Sequence, residues 1–225
     1  MNWLVQGLSS SVGKKFVMGV TGLLLCGFLA MHLAGNLLLY VGEETYNAYA
    51  HALHSQEWLI KIAEVVLLVL FVGHIALALV LTQENQAARP IDYATRQSKK
   101  DTPVLIITPD NWMFVSGVIV LLFLLLHLSE FAWNIWLTEA VKGKEPFEKA
   151  RIILTDPLST FVYIVGPAVL GFHLWHGFAS AFQSLGLNHE KYTPLITWLG
   201  IIFAVLVAVG FASFPIWAWA TMETL

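Results

Sequence analysis

With 225 residues, 57% of them hydrophobic, 12% charged and nine tryptophans, this chain lies outside the composition of soluble globular domains and reads as an integral membrane protein. Its net charge is only -3, and no run of like charges is long enough to suggest a nucleic-acid partner or a disordered charged tail. The single cysteine, Cys26, excludes an internal disulfide and reads as a small core residue.

Residues 1 to 15 form a short amphipathic or irregular lead-in with a Ser-Ser-Ser turn and two lysines, Lys14 and Lys15, at the membrane edge. The apolar run that follows, about 16 to 41, is too long for the core of a cleaved signal and reads as a retained first span. From Gly42 to Glu57 the chain is polar, and its tyrosines suit a helix lying along the membrane surface. A second span covers about 58 to 82. The loop from Gln83 to Asn111 is the most charged part of the sequence, with Arg89, Arg96, Lys99, Lys100 and prolines at 90, 103 and 109. A third span covers about 112 to 137, a polar loop of mixed sign runs from Thr138 to Asp156, and the fourth and fifth spans cover about 158 to 186 and 195 to 220.

The expected fold is therefore an all-α membrane bundle of five transmembrane helices, one domain over 1–225 with its termini on opposite sides. Placing the N-terminus inside puts Lys14, Lys15, Arg89, Arg96, Lys99, Lys100 and Lys191 on the inner side, against Lys61, Lys142, Lys144, Lys149 and Arg151 outside. That excess of basic residues favours a cytoplasmic N-terminus.

The fourth span, PLSTFVYIVGPAVLGFHLWHGFASAFQSLG, carries no Lys, Arg, Asp or Glu, yet holds His173 and His176 well inside its apolar run. Histidine at that depth is costly unless something binds it. The first three spans each hold one more: His32, His74 and His127. One such imidazole could simply hydrogen-bond a neighbouring helix, but these fall at two matched depths. The first and third spans run the same way and reach His32 and His127 about sixteen and fifteen residues in, toward the outer face. The second runs oppositely and places His74 near its inner end, level with His173 on the fourth. The offset between levels is roughly 10 to 13 Å from helical rise.

Two neutral imidazoles on opposite axial positions complete the coordination of a haem iron. With no CxxCH run, such a haem is held non-covalently. Glycines and Ser129 flank the candidates (Gly27, Gly35, Gly73, Gly166, Gly171, Gly177), leaving room for a flat macrocycle. His176 lies three residues from His173 on nearly the same face, and periodicity alone does not separate them. His51, His54 and His189 fall in polar segments and read as surface residues.

SSVGKKFVMGVTGLLL and MHLAGN on the first span, FVGH on the second, LLLHLSE on the third and FHLWHGFASAFQSLG on the fourth resemble the di-haem cytochrome b subunit of bacterial succinate:quinone oxidoreductases, the succinate dehydrogenases and fumarate reductases, over nearly the whole chain. In that family the fourth-span ligand stands four residues before one glycine and thirteen before another, here Gly177 and Gly186, so the resemblance selects His173 and makes His176 its neighbour. It implies two haems b, ligated by His74/His173 toward the inner face and His32/His127 toward the outer face.

The resemblance further implies a multi-pass subunit of the bacterial cytoplasmic membrane, part of the respiratory chain. It would pass electrons between a cytoplasmic iron-sulfur subunit and a membrane quinone, most commonly menaquinone, while a flavoprotein partner carries the dicarboxylate chemistry. Some relatives place a glutamate two residues before the fourth-span ligand, where this chain has Gly171, which argues against proton movement by that route. Lys14, Lys15, His176, Ser180, Gln183 and Ser184 are candidate haem-edge or propionate contacts, and Glu64 a candidate carboxyl for quinone protonation. The alternatives are a di-haem cytochrome b of another complex, such as a hydrogenase or formate dehydrogenase, and a haem-free transporter with a histidine relay.

Overall fold

A computed structural model describes residues 2–88 and 109–221. Nine α-helices follow in order among the described residues: α1 (Trp3–Ser9), α2 (Ser11–Asn36), α3 (Glu43–His54), α4 (Glu57–Ala87), α5 (Pro109–Phe131), α6 (Thr138–Val141), α7 (Pro146–Thr155), α8 (Pro157–Ser184) and α9 (Thr193–Ala220). A 3-10 turn, Leu37–Tyr40, extends α2. The described residues contain no strand. Five helices, α2, α4, α5, α8 and α9, are long and apolar enough to cross a membrane, so the chain is an all-α protein with five candidate spans. The basic loop, with Arg89, Arg96, Lys99 and Lys100, lies outside the described residues except at its two ends.

Local chemistry sets boundaries that hydropathy misplaces. Helix α2 starts at Ser11, because Ser10 caps it by accepting from Gly13 N at 3.0 Å. Lys14 and Lys15 are thereby helical. The third span stops at Phe131, short of the expected 137: Asn134 and Leu137 adopt left-handed φ of 52° and 56°, and Trp133 N bonds back to Leu128 O at 2.8 Å. The apolar signal continued only because Trp133, Ile135 and Trp136 are exposed aromatics and aliphatics of an interfacial type. At the end of α8, Gly186 at φ +76° lets Leu187 N reach Phe182 O at 2.9 Å, the left-handed stop that ends this helix.

The expected surface helix over 42–57 is α3, where His51 pairs with Glu145 at 2.8 Å. The loop expected over 138–156 is instead mostly helical. Its α7 buries Phe147, Ala150, Ile153 and Leu154 against Leu39, Tyr163, Phe214 and Ala218. This amphipathic helix closes one end of the bundle over the larger of two buried apolar clusters among the described residues. A second cluster, Cys26 with Leu170, Leu174, Ala204 and Val207, ties α2, α8 and α9 together.

The helix pairing is uneven. Helix α8 packs closely on α9, α2 packs on α4 and α8, and α5 packs on α8. Among the described residues no extensive packing joins α4 to α5, and α4 has only one buried residue, Leu81. The four histidine-bearing helices therefore form a trough, with α2 and α8 as its floor and α4 and α5 as its walls.

Candidate functional site

Antiparallel pairing brings the predicted residues together in two tiers. On α2 and α4, Lys14 meets Glu84 and Thr21 meets His74. On α5 and α8, Ser116 meets His173, His127 meets Tyr163 and Glu130 meets Ser159. Residue numbers rise on one helix as they fall on the other, so the pairs run straight along the bundle.

In the first tier the hydrogen bonds decide the tautomers. The Thr21 hydroxyl donates to Met18 O at 3.0 Å, so its oxygen, 3.1 Å from His74 Nδ1, is left to accept. The Ser116 hydroxyl likewise donates to Met113 O at 3.1 Å and lies 3.0 Å from His173 Nδ1. Each network assigns the ring proton to Nδ1 and leaves Nε2 with a free lone pair. Both hydroxyls are buried. The next residue, Gly22 or Gly117, lies under the ring: a Cβ there would meet the imidazole Cε1 at 3.4 or 3.6 Å.

In the second tier, His32 and His127 face each other with ring centres 5.8 Å apart and planes at 81°. Two imidazoles ligating one metal from opposite sides through bonds of about 2 Å have ring centres roughly 6 Å apart. His127 Nδ1 lies 3.3 Å from the Tyr163 hydroxyl. His32 Nδ1 has only a 3.4 Å contact to Asn36 Nδ2, which donates at 2.7 Å to the His32 carbonyl, so its tautomer is not dictated. Phe28 stacks on His32, and Phe123, Phe131 and Phe211 close the surroundings.

Thr21 stands eleven residues before His32, and Ser116 eleven before His127. The levels are thus roughly 16 Å apart by helical rise, wider than the expected 10 to 13 Å. The same spacing stands in the sequence as a repeat: Val20-Thr21-Gly22 with Phe28 and His32 recurs as Val115-Ser116-Gly117 with Phe123 and His127. Each copy supplies one imidazole to the second tier and a hydroxyl that meets an imidazole of the first. Sequence reasoning misses Tyr163 and Glu130.

The remaining candidates separate. His176 bonds Phe172 O through Nδ1 at 3.1 Å and stacks on Trp175, staying on its own helix, while His173 is held across helices. Lys14 is engaged with Glu84. Lys15, Ser180 and Gln183 are exposed, and Ser184 packs beside Gly19. Glu64 pairs with Lys61 at 3.2 Å and lines an open cavity of about 390 Å³ with His54, Glu57, Trp58 and Ile60.

The flanking glycines do not share one role. Gly27 and Gly73 border open space, whereas a Cβ on Gly35 would strike Tyr49, one on Gly166 would strike the Phe123 ring, and one on Gly171 would meet Ala208 Cβ at 2.6 Å. Gly171 is thus a close-approach point for α9, with no room for a longer side chain.

Among the described residues no three His, Cys, Asp or Glu side chains gather as a metal site. The imidazoles come in twos. That number is too few for a protein-only tetrahedral site and suits an iron whose other four ligands come from a porphyrin. No family model, curated protein or solved structure matches the chain.

Proposed function

We propose that this chain is the membrane-anchor cytochrome b subunit of a succinate:quinone oxidoreductase, carrying electrons through two bis-histidine haems b. One observation carries the reading: four imidazoles line one trough at two levels, His32 meeting His127 at one, while at the other neighbouring-helix hydroxyls leave the Nε2 lone pairs of His74 and His173 free. His74 with His173, and His32 with His127, would hold the two groups. A haem so held supplies a one-electron iron couple with no position open for oxygen. The chain's own Thr21 and Ser116 hydroxyls would hold the His74 and His173 rings with Nε2 available as a ligand.

The partner assignment rests on the sequence resemblance. It places an iron-sulfur subunit and a flavoprotein on the cytoplasmic side, with the N-terminus there, in the bacterial inner membrane. A quinone, commonly menaquinone, would react in the membrane, and the open cavity beside Glu64 is one place where its head could meet a water-accessible carboxyl. His176, Lys14, Lys15, Ser180, Gln183 and Ser184 are the candidate haem-edge contacts.

Purified protein should show low-spin b-type bands at about two haems per chain. Replacing His74 or His173 by alanine should remove one haem and spare the other, and His32→Ala or His127→Ala should remove the complementary one. A colourless protein would refute the reading and favour a haem-free transporter; haem without co-purifying flavin would favour another respiratory complex.

A further inference from the structure

Glu130 lies one helical turn beyond His127 on α5 and is 0% exposed, as is Ser159 facing it from α8. The Ser159 hydroxyl oxygen is 2.5 Å from Glu130 Oε1 and 3.0 Å from Asp156 Oδ2. A serine has one proton to donate, so it cannot satisfy both carboxyls. If it donates to Asp156, the Glu130 side of the contact is filled when Glu130 is a neutral acid donating to Ser159; if it donates to Glu130, the extra proton belongs on Asp156. The two arrangements differ by one proton moved along the chain of oxygens.

The ends of this chain differ in their access to water. Asp156 caps α8, accepting from Ser159 N at 3.0 Å, and is partly exposed where α7 meets the membrane edge. Glu130 is sealed, and among the described residues its Oε2 has no well-formed hydrogen bond, the Tyr163 hydroxyl beside the carboxyl being the one further group that bears on it besides Ser159 and Asp156. A bare carboxylate oxygen at that depth is the most costly state available to the group, which favours the neutral acid at rest. Tyr163 stands beside Glu130, with its hydroxyl 3.3 Å from His127 Nδ1.

The other charged groups around it are accounted for. Lys149 of α7 sits nearby with its ammonium on Phe131 O at 2.8 Å and Asn134 Oδ1 at 2.6 Å. Helix α9 carries no titratable side chain.

We propose that Asp156, Ser159 and Glu130 form a proton-exchange path from the α7 edge of the membrane to the level of the His32–His127 pair, with Glu130 as the buried residue that holds the proton. A proton arriving on Asp156 passes to the Ser159 oxygen as the serine's own proton moves to Glu130, and release runs the same steps backwards. No bond between heavy atoms changes, and no co-reactant is consumed. The path rests on side-chain geometry. Its use, balancing charge that reaches the His32–His127 level, rests on the electron-carrying function proposed above.

Infrared spectroscopy of the full-length protein in lipid tests the path. The wild type should show the carbonyl stretch of a neutral carboxylic acid that shifts on transfer to deuterium oxide and is lost in Glu130→Gln. Asp156→Asn, which keeps the helix cap, and Ser159→Ala should retain the band and slow its deuterium shift by about a hundredfold. Absence of the band in the wild type, or exchange unchanged in both edge variants, would overturn the path and leave Glu130 as a structural link between α5 and α8. Should Glu130→Gln fail to fold, the exchange rates of the two edge variants decide. Haem content is read in the same samples: two haems per chain with no exchangeable band defeats the path alone, whereas a colourless protein with the band intact defeats only the electron-carrying reading.

Discussion

The hydroxyls of Thr21 and Ser116 act on the imidazoles without being ligands. Each gives its proton to a carbonyl of its own helix and presents an oxygen to Nδ1 across the helix interface. Removing such a second partner typically weakens metal binding about 10- to 100-fold. On the function proposed above, Thr21→Ala and Ser116→Ala should therefore speed transfer of the haem at the His74–His173 level to a soluble acceptor by that order, leave a haem at the other level in place, and be rescued by Thr21→Ser and Ser116→Thr. At Gly166 a methyl group would run into Phe123, which lies 6.1 Å from His127, whereas at Gly22 it would meet His74 at ordinary contact distance. On the same proposed function, Gly166→Ala should accordingly disturb the spectrum of a haem held at the His32–His127 level, and Gly22→Ala should leave both spectra near wild type.

Helix α7 shows how a polar-looking loop becomes structural. Its apolar residues recur on one face, and Ile153 is fully buried among α8 and α9 side chains. Ile153→Ala should cost about 2–5 kcal/mol in detergent unfolding. Lys149 on the same helix reaches the end carbonyl of α5, and burial pushes its pKa below the usual lysine value. The fold disfavours the charged lysine, so above the lowered pKa and below the usual one the unfolded chain binds more protons. Stability should rise with pH across that alkaline window, and this rise should flatten in Lys149→Gln, as followed by thermal unfolding at a series of pH values.

The molecule as a whole is firm on one side and open on the other. The α8–α9 hairpin approaches backbone to backbone at Gly171 and Ala204, and the α7 lid seals one end. Helix α4 leans on α2, with its Lys14–Glu84 ion pair at one end and the Thr21–His74 bond midway. A porphyrin gripped by His74 and His173 would be what joins α4 to the opposite wall. Protein made under haem limitation should therefore show faster amide exchange along α4 than the loaded protein, with α8 and α9 changed little.

The sequence by itself determined five apolar spans and the depth of each histidine along its own span, because hydropathy and helical rise are local and additive along the chain. It also held the Thr21/His32 and Ser116/His127 repeat, legible as two residues at one spacing. Tertiary structure decided what depends on a second helix: that His173 is held by Ser116 while His176 stays on its own helix, that Gly171 and Gly166 are contact points filled by neighbours, and that Glu130, an ordinary-looking acid at the end of an apolar run, is sealed between Ser159 and Tyr163. A side chain's position along one helix follows from its own sequence, but its partners follow from which helix lies opposite and in what register, and that is fixed by the packing of the whole bundle.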